Sequence, residues 1–149
     1  MDKFIVQGGL KLYGKVNIQA AKNAVLPLLA ASILTDERVT IRDLPFISDV
    51  ENMIHILREL GCEAARTGAD IVIDGKNAVS HEIPSTLTKE LRSSVFMLGS
   101  VLTRFHRAKI SYPGGCDIGL RPIDLHLSGL KRLGVTIIEE NGYVICSAE

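Results

Sequence analysis

The residues best suited to chemistry lie in a glycine-rich loop between two prolines. The loop reads Pro113-Gly114-Gly115-Cys116-Asp117-Ile118-Gly119-Leu120-Arg121-Pro122, with one thiol among glycines and an arginine near its end. Glycines let a backbone approach a ligand closely, and prolines restrict the backbone where the loop begins and ends. A thiol beside a cation is a candidate reactive group, although a loop cysteine can also be an inert small residue. The loop therefore predicts either a reactive Cys116 or a chemically silent turn.

Cations also stand where the sequence predicts that helices begin. Lys22-Asn23 opens one apolar helix, Arg92 opens a second, and Arg121-Pro122 starts a third. Free N–H groups and the helix dipole attract anions at such positions. Each cation alone is better explained as a solvated side chain. Together with the loop thiol, they indicate a site for phosphate or carboxylate groups.

The elements that must position these residues form an internal repeat. Apolar periodicity, closing Leu-Gly pairs and turn residues predict two units of helix, strand, helix and hairpin, each about 70 residues long. The predicted helices cover 24–34, 48–61, 93–104 and 121–134, and the predicted strands cover 39–42, 63–66, 71–74, 108–112, 136–139 and 143–146. Such units indicate an α+β fold whose apolar helices pack together in a shared interior.

Local signals refine these elements. Ser48 and Glu51 have the spacing of a capping box, and Pro122 is expected at the first position of its helix. Pro27 is expected to kink the first helix or to confine its regular part to the residues that follow. Asn141-Gly142 is a strong signal for a tight hairpin turn.

The N-terminal region alternates apolar and polar residues. Segments 4–6 and 15–18 predict a hairpin ahead of the first unit. A hairpin without a neighbouring sheet exposes edges that can pair with another chain. Self-association through unpaired strands or exposed faces of the repeat is therefore an expectation.

Composition narrows the class of protein. The 149 residues suffice for one domain, and 17 basic residues balance 17 acidic ones, which disfavours nucleic acid and anionic membranes as partners. The apolar stretch 24–34 is too short to cross a bilayer, and the N-terminus lacks the order of a signal peptide, so a cytoplasmic location is expected. Three widely spaced cysteines suggest neither disulfides nor a zinc site, and Cys62 and Cys146 are expected in the core.

The loop motif, the Lys22-Asn23-Ala24 segment and the Leu91-Arg92-Ser93-Ser94 segment together resemble the UDP-N-acetylglucosamine 1-carboxyvinyltransferase family. The resemblance runs over the whole chain from Phe4. It implies transfer of the enolpyruvyl group from phosphoenolpyruvate to the 3′-hydroxyl of UDP-N-acetylglucosamine, with release of phosphate. This reaction is the first committed step of peptidoglycan synthesis. No metal or organic cofactor is implied.

The resemblance also implies roles for particular residues. Cys116 matches the proton donor to phosphoenolpyruvate, which is also the residue that fosfomycin alkylates. Lys22 matches the lysine that binds the phosphate, with Asn23 beside it. The matches to positions that hold the UDP-sugar are Arg92, Arg121, Pro122, Ile123, Asp124 and Leu125, and Arg121 is also expected to approach phosphoenolpyruvate.

The resemblance implies an architecture larger than this chain. Family members fold as inside-out α/β barrels in two domains of three repeats each, with the active site between the domains. Residues 1–21 correspond to strands that join the second domain. Residues 22–149 correspond to an incomplete first domain, with one repeat over about 22–87 and another, cut short, over about 88–149.

Four functions are compatible with the residues. The chain is expected to act as part of an enolpyruvyl transferase, or as a substrate-binding fragment without turnover. A redox switch at Cys116 is disfavoured because no resolving cysteine lies nearby in the sequence. Enolpyruvyl transfer to a shikimate is disfavoured because the Gly-Gly-Cys loop is typical of the sugar-nucleotide branch.

Overall fold

The computed structural model describes residues 3–18, 20–112 and 122–149, apart from the side chain of Glu90. Within these ranges the helices are α1 (Lys22–Ala31), α2 (Ser48–Glu59), α3 (Ser85–Glu90), α4 (Val95–Phe105) and α5 (Asp124–Arg132). The strands are β1 (Val39–Ile41), β2 (Glu63–Thr67), β3 (Asp70–Asp74), β4 (Arg107–Ser111), β5 (Thr136–Glu140) and β6 (Tyr143–Ser147). Short 3-10 turns follow α1 at Ser32–Leu34 and precede α4 at Arg92–Ser94. The α+β class is therefore confirmed.

The strands form two small antiparallel sheets with the same order. The first sheet has the order β1-β3-β2 and the second has the order β4-β6-β5. In the first sheet, β2 and β3 form a hairpin, and β1, the strand before α2, pairs with β3. In the second sheet, β5 and β6 form a hairpin, and β4, the strand before α5, pairs with β6. The outer edge of β4 also receives a parallel bridge between Glu82 and Lys109. Neither sheet is closed.

The residue types at the two hairpin turns explain their backbone conformations. Asn141 and Gly142 both have positive φ, at 50° and 78°, which is the backbone that a type I′ turn requires. In the first hairpin only Gly68 is left-handed, at 59°, so glycine supplies the one conformation that other residues resist. The predicted strand pairs and both turn positions are confirmed.

The core lies between the helices and the inner faces of the two sheets. Leu26 and Leu29 of α1, Met53 of α2 and Leu98 of α4 are all fully buried in one apolar cluster. The β-branched Ile73 of β3 is buried in the same cluster, so the inner face of the first sheet also forms part of the core. Packing of the apolar helices in a shared interior is therefore confirmed. No helix in the described ranges combines the length and apolarity needed to span a membrane.

Arg104 joins the ends of several elements. From the last turn of α4, its Nη1 donates to the carbonyl oxygen of Ile33 at 2.8 Å, and its Nη2 donates to the carbonyl oxygen of Gly75 at 2.8 Å. Its Nη2 also pairs with Asp36 Oδ1 at 2.7 Å. Carbonyl groups at the end of a helix lack intrahelical partners, so a guanidinium with five donors is well suited to satisfy them.

Two local predictions are wrong, and one of the two outcomes expected for Pro27 is excluded. The capping box does not form, because α2 begins with Ile47 as its N-cap, no side chain caps the helix, and Glu51 pairs with Arg66 instead. Pro122 is not the first helical residue, because α5 begins at Asp124 with Ile123 as its N-cap. Pro27 does not confine the regular part of α1 to the residues after it, since the helix begins at Lys22 and continues through the proline.

The predicted N-terminal hairpin is also absent. Residues 3–18, all of them described, form neither helix nor strand, and their apolar side chains are exposed, with Phe4 at 100% and Ile18 at 92%. An isolated hairpin with no covered face is at best marginally stable in water. The sequence also failed to predict α3, a helix of six residues without an apolar stripe.

Candidate functional site

Lys22 and Asn23 are the first two residues of α1. Ala21, at the N-cap, has no side-chain oxygen to cap the helix, and the first turn contains no acidic residue. The first turn of α1 therefore contributes no acidic residue of its own to offset the positive end of the helix dipole. Both side chains face solvent. The predicted placement of this pair at a helix start is confirmed.

The ammonium of Lys22 is held by a second helix. Its Nζ lies 2.5 Å from Oδ2 of Asp49, in the first turn of α2, and the two side chains are 48% and 29% exposed. The starts of α1 and α2 are therefore adjacent. Sequence reasoning missed Asp49, because 27 residues separate it from Lys22 and only the packing of the two helices brings them together.

Arg92 is the first residue of the 3-10 turn that leads into α4. Its side chain is partly buried, and it takes part in an interaction with another group. Two residues later, Ser94 is the N-cap of α4, and its buried hydroxyl has no hydrogen-bond partner among the residues that the structure describes. Arg92 therefore stands at the start of a helix, as predicted, although a short 3-10 turn precedes the α-helix proper.

Helices α1 and α4 meet at their C-terminal ends. Arg104, in the last turn of α4, binds the carbonyl oxygens of Ile33 and Thr35, which follow α1. Both helices pack in the same core. Lys22 and Arg92 thus belong to the starts of two helices that share one core.

The remaining predicted residues lie at the start of α5 or outside the described ranges. Ile123 packs against the core as the N-cap of α5, Asp124 is its first helical residue, and Leu125 is 84% exposed. Pro122 is exposed immediately before them. Cys116 and Arg121 lie outside the described residues, so their roles stay predictions.

The two thiols within the described ranges are unsuited to nucleophilic chemistry. Burial raises the pKa of the Cys62 thiol to about 11, against an opposing effect of Arg104 and with a smaller contribution from Asp74. Burial also raises the pKa of Cys146, and Glu139 adds to the effect. A thiol reacts as its thiolate, so a raised pKa makes both groups inert near neutral pH. Their expected place in the core is confirmed.

The arrangement is suited to binding anions. Lys22 places an ammonium at a helix start, and Arg92 places a guanidinium before another, where backbone N–H groups already favour negative charge. Among the described residues, no group of three or more His, Cys, Asp or Glu side chains could hold a metal ion. The described part of the site therefore offers cations and helix dipoles.

Comparison with known proteins finds relatives that match this chain over nearly its whole length. The UDP-N-acetylglucosamine 1-carboxyvinyltransferase 2 of Caldanaerobacter subterraneus subsp. tengcongensis is 49% identical over 98% of this chain and 35% of the relative. The UDP-N-acetylglucosamine 1-carboxyvinyltransferase of Escherichia fergusonii is 46% identical over 100% of this chain and 35% of the relative. The chain thus spans about a third of the length of the curated relatives it matches.

A solved structure supports the fold. The enolpyruvyl transferase NikO from Streptomyces tendae superposes with a TM-score of 0.79 at 24% identity, covering 95% of this chain and 31% of that one. The sequence resemblance to carboxyvinyltransferases is confirmed by the curated relatives. A family model also matches residues 6–149, and on that match the chain belongs to the EPSP synthase (3-phosphoshikimate 1-carboxyvinyltransferase) family.

Proposed function

We propose that this chain forms part of an enzyme that transfers the enolpyruvyl group of phosphoenolpyruvate to the 3′-hydroxyl of UDP-N-acetylglucosamine, releasing phosphate, in the cytoplasmic first step of peptidoglycan synthesis. The observation that carries the proposal is the ammonium of Lys22 at the start of α1, held 2.5 Å from Asp49. The names of relatives at 44–49% identity support the same substrates. The Gly-Gly-Cys loop supports the sugar-nucleotide branch over the shikimate branch.

In the proposed reaction, the Cys116 thiol donates its proton to the methylene carbon of phosphoenolpyruvate. The C2 carbon then becomes electrophilic, and the 3′-hydroxyl oxygen of the sugar bonds to it while the hydroxyl proton passes to a base. Phosphate then leaves the addition product, and one methyl proton passes to the thiolate left on Cys116, which restores both the double bond and the thiol. Preorganised cations favour the departure of phosphate, and an acid near the developing charge lowers the barrier.

The binding residues divide between the two substrates. Lys22 contacts the phosphate of phosphoenolpyruvate with Asn23 beside it, and Arg121 approaches the same substrate. The UDP-sugar is held by Arg92 and by the segment from Arg121 to Leu125. The exposure of Asp124 and Leu125 at the start of α5 supports this segment as a binding surface.

The proposed architecture is the family's inside-out barrel of repeated units. The shared strand order of the two sheets supports two copies of one unit, over about 22–87 and 88–149. The exposure of residues 3–18, which form neither helix nor strand here, supports the proposal that this segment joins a second domain. Apolar side chains left exposed there also support self-association of the isolated chain.

A substrate-binding fragment without turnover is the alternative, and the coverage of about a third of each relative favours it for the chain alone. A phosphate-release assay with phosphoenolpyruvate and UDP-N-acetylglucosamine decides between the two. Release that grows with chain concentration supports an enzyme. Binding of both substrates by calorimetry, with no release at any concentration, supports a fragment.

Two cysteine variants test the chemical part of the proposal. Cys116→Ser should abolish labelling by the epoxide fosfomycin, and should abolish phosphate release wherever the parent chain shows it. Cys146→Ala is the matched control, because it removes a thiol that is buried in β6. Unchanged turnover or labelling in Cys116→Ser would show that the acid role is wrong.

A further inference from the structure

The carboxylate of Asp49 forms an ion pair with the ammonium of Lys22. Oδ2 of Asp49 accepts a hydrogen bond from Nζ of Lys22 at 2.5 Å. Lys22 is the first residue of α1 and Asp49 lies in the first turn of α2, so the pair links the starts of two helices. Neither residue caps its own helix through its side chain, so the contact is made between helices.

Electrostatics explains why a lysine at this position needs a partner. A cation is disfavoured at a helix N-terminus, where the dipole contributes partial positive charge. At the start of α1 the first turn contains no acidic residue to offset that repulsion. Asp49 supplies the missing negative charge from α2, where an acidic residue in the first turn is itself favoured. The Asp49 carboxylate therefore offsets positive charge at the starts of both α1 and α2.

The ion pair leaves the ammonium able to bind an anion. A lysine ammonium has three N–H donors, and the contact to Asp49 uses one of them. The Lys22 side chain is still 48% exposed, whereas that of Asp49 is 29% exposed. The cation is therefore the more accessible partner of the pair.

We propose that Asp49 is a positioning residue, which holds the Lys22 ammonium at the start of α1 so that its remaining donors face an incoming phosphate. This inference rests on the proposed function, in which Lys22 binds the phosphate of phosphoenolpyruvate. It adds a residue that no motif in the sequence marked. An ion pair this exposed contributes little to folding, so its effect on binding is separable from its effect on stability.

Binding of phosphoenolpyruvate in the presence of UDP-N-acetylglucosamine tests the proposal by calorimetry. Asp49→Ala should raise the dissociation constant of phosphoenolpyruvate about tenfold, while UDP-N-acetylglucosamine binding stays unchanged. Asp49→Asn retains an acceptor oxygen and should restore binding to within about threefold of the parent. Asp36→Ala is the matched control, because it removes one acidic charge from the ion pair with Arg104.

A double-mutant cycle separates positioning from general effects of charge. In a Lys22→Gln background, Asp49→Ala should cause no further loss of binding, because no ammonium remains to be positioned. If Asp49→Ala weakened phosphoenolpyruvate binding as much in the Lys22→Gln background as in the parent, the proposal would be overturned. A loss of binding in Asp36→Ala equal to that in Asp49→Ala would also overturn it.

A readout without substrate distinguishes failure of this inference from failure of the proposed function. The Cε methylene resonance of Lys22, assigned by its absence in Lys22→Gln, reports by NMR whether the side chain is ordered. Order in the parent that is lost in Asp49→Ala supports positioning even where phosphoenolpyruvate does not bind, and the failure then belongs to the proposed function. A Lys22 side chain as mobile in the parent as the exposed Lys3 would overturn the inference.

Discussion

Arg104 donates a hydrogen bond from Nη1 to the carbonyl oxygen of Ile33 at 2.8 Å, across 71 residues of sequence. The same guanidinium reaches the carbonyl oxygen of Gly75 at 2.8 Å, which follows β3. Its side chain is only 14% exposed, so these bonds lie largely out of water. The end of α1, the end of β3 and the end of α4 are therefore joined through one side chain.

Replacing Arg104 with alanine should lower the free energy of unfolding by about 2–3 kcal/mol, because two buried carbonyl groups lose a charged donor. Urea denaturation of parent and variant measures the effect. Arg38→Ala is the control, since Arg38 is 75% exposed and forms an ion pair with Asp74 at the surface. That variant should change stability by less than about 1 kcal/mol. Equal effects of the two substitutions would contradict the role assigned to Arg104.

Two glycines should respond oppositely to alanine. Gly142 has φ of 78°, and no described atom lies within 4 Å of an added Cβ, so Gly142→Ala should cost about 1 kcal/mol through backbone strain. Gly129 lies inside α5, where an added Cβ again meets no atom of the described residues within 4 Å, and Gly129→Ala should stabilise by about 0.5–1 kcal/mol. Thermal melts compare the two variants. Shifts of the same sign would contradict the type I′ turn or the helical setting.

Native-state thiol labelling should spare Cys62 and Cys146. At pH 7 the Cys62 pKa of about 11 leaves almost no thiolate, and burial also blocks access. In a Cys116→Ser variant we therefore expect a disulfide reagent to label no thiol until urea unfolds the chain, and both thiols afterwards. Reaction of folded Cys62 at the rate of a free cysteine would contradict its burial.

Acid should weaken the contribution of Asp74 to stability. The backbone N–H of Lys76 and then the Arg38 side chain hold the pKa of the Asp74 carboxyl below its usual 3.8. A carboxyl with a depressed folded-state pKa stabilises the fold above its unfolded pKa, and this contribution is lost as pH falls through the folded pKa. The stability difference between parent and Asp74→Asn should therefore be largest above the usual carboxyl pKa of 3.8 and should shrink as the pH falls below it. A difference independent of pH would contradict this linkage.

Periodicity and turn chemistry predicted the elements that depend on local sequence. The apolar spacing of α2 and the Asn141-Gly142 turn were sufficient, since both act within a few residues. The capping box at Ser48 was wrong because Glu51 finds Arg66, a tertiary partner that local spacing does not reveal. The helix α3 was missed because its six residues carry no periodic apolar pattern.

The candidate site was predictable only in part. Lys22 and Arg92 were found because cations at predicted helix starts can be read from the sequence. Asp49 was not, because its contact with Lys22 depends on how α1 packs on α2. The N-terminal alternation predicted strands that require a partner to form, and residues 3–18 are exposed within the described part of the chain.

The junction at Arg104 also bears on the order in which the chain folds. Each hairpin closes over a few residues, whereas the contact of Arg104 with Ile33 closes a segment of 71 residues and carries a larger entropic cost. Contacts of such separation form late, so the junction should be mostly absent from the folding transition state. Loss of the Arg104 guanidinium would then accelerate unfolding while refolding keeps nearly its original rate, which a stopped-flow chevron would show in its unfolding limb.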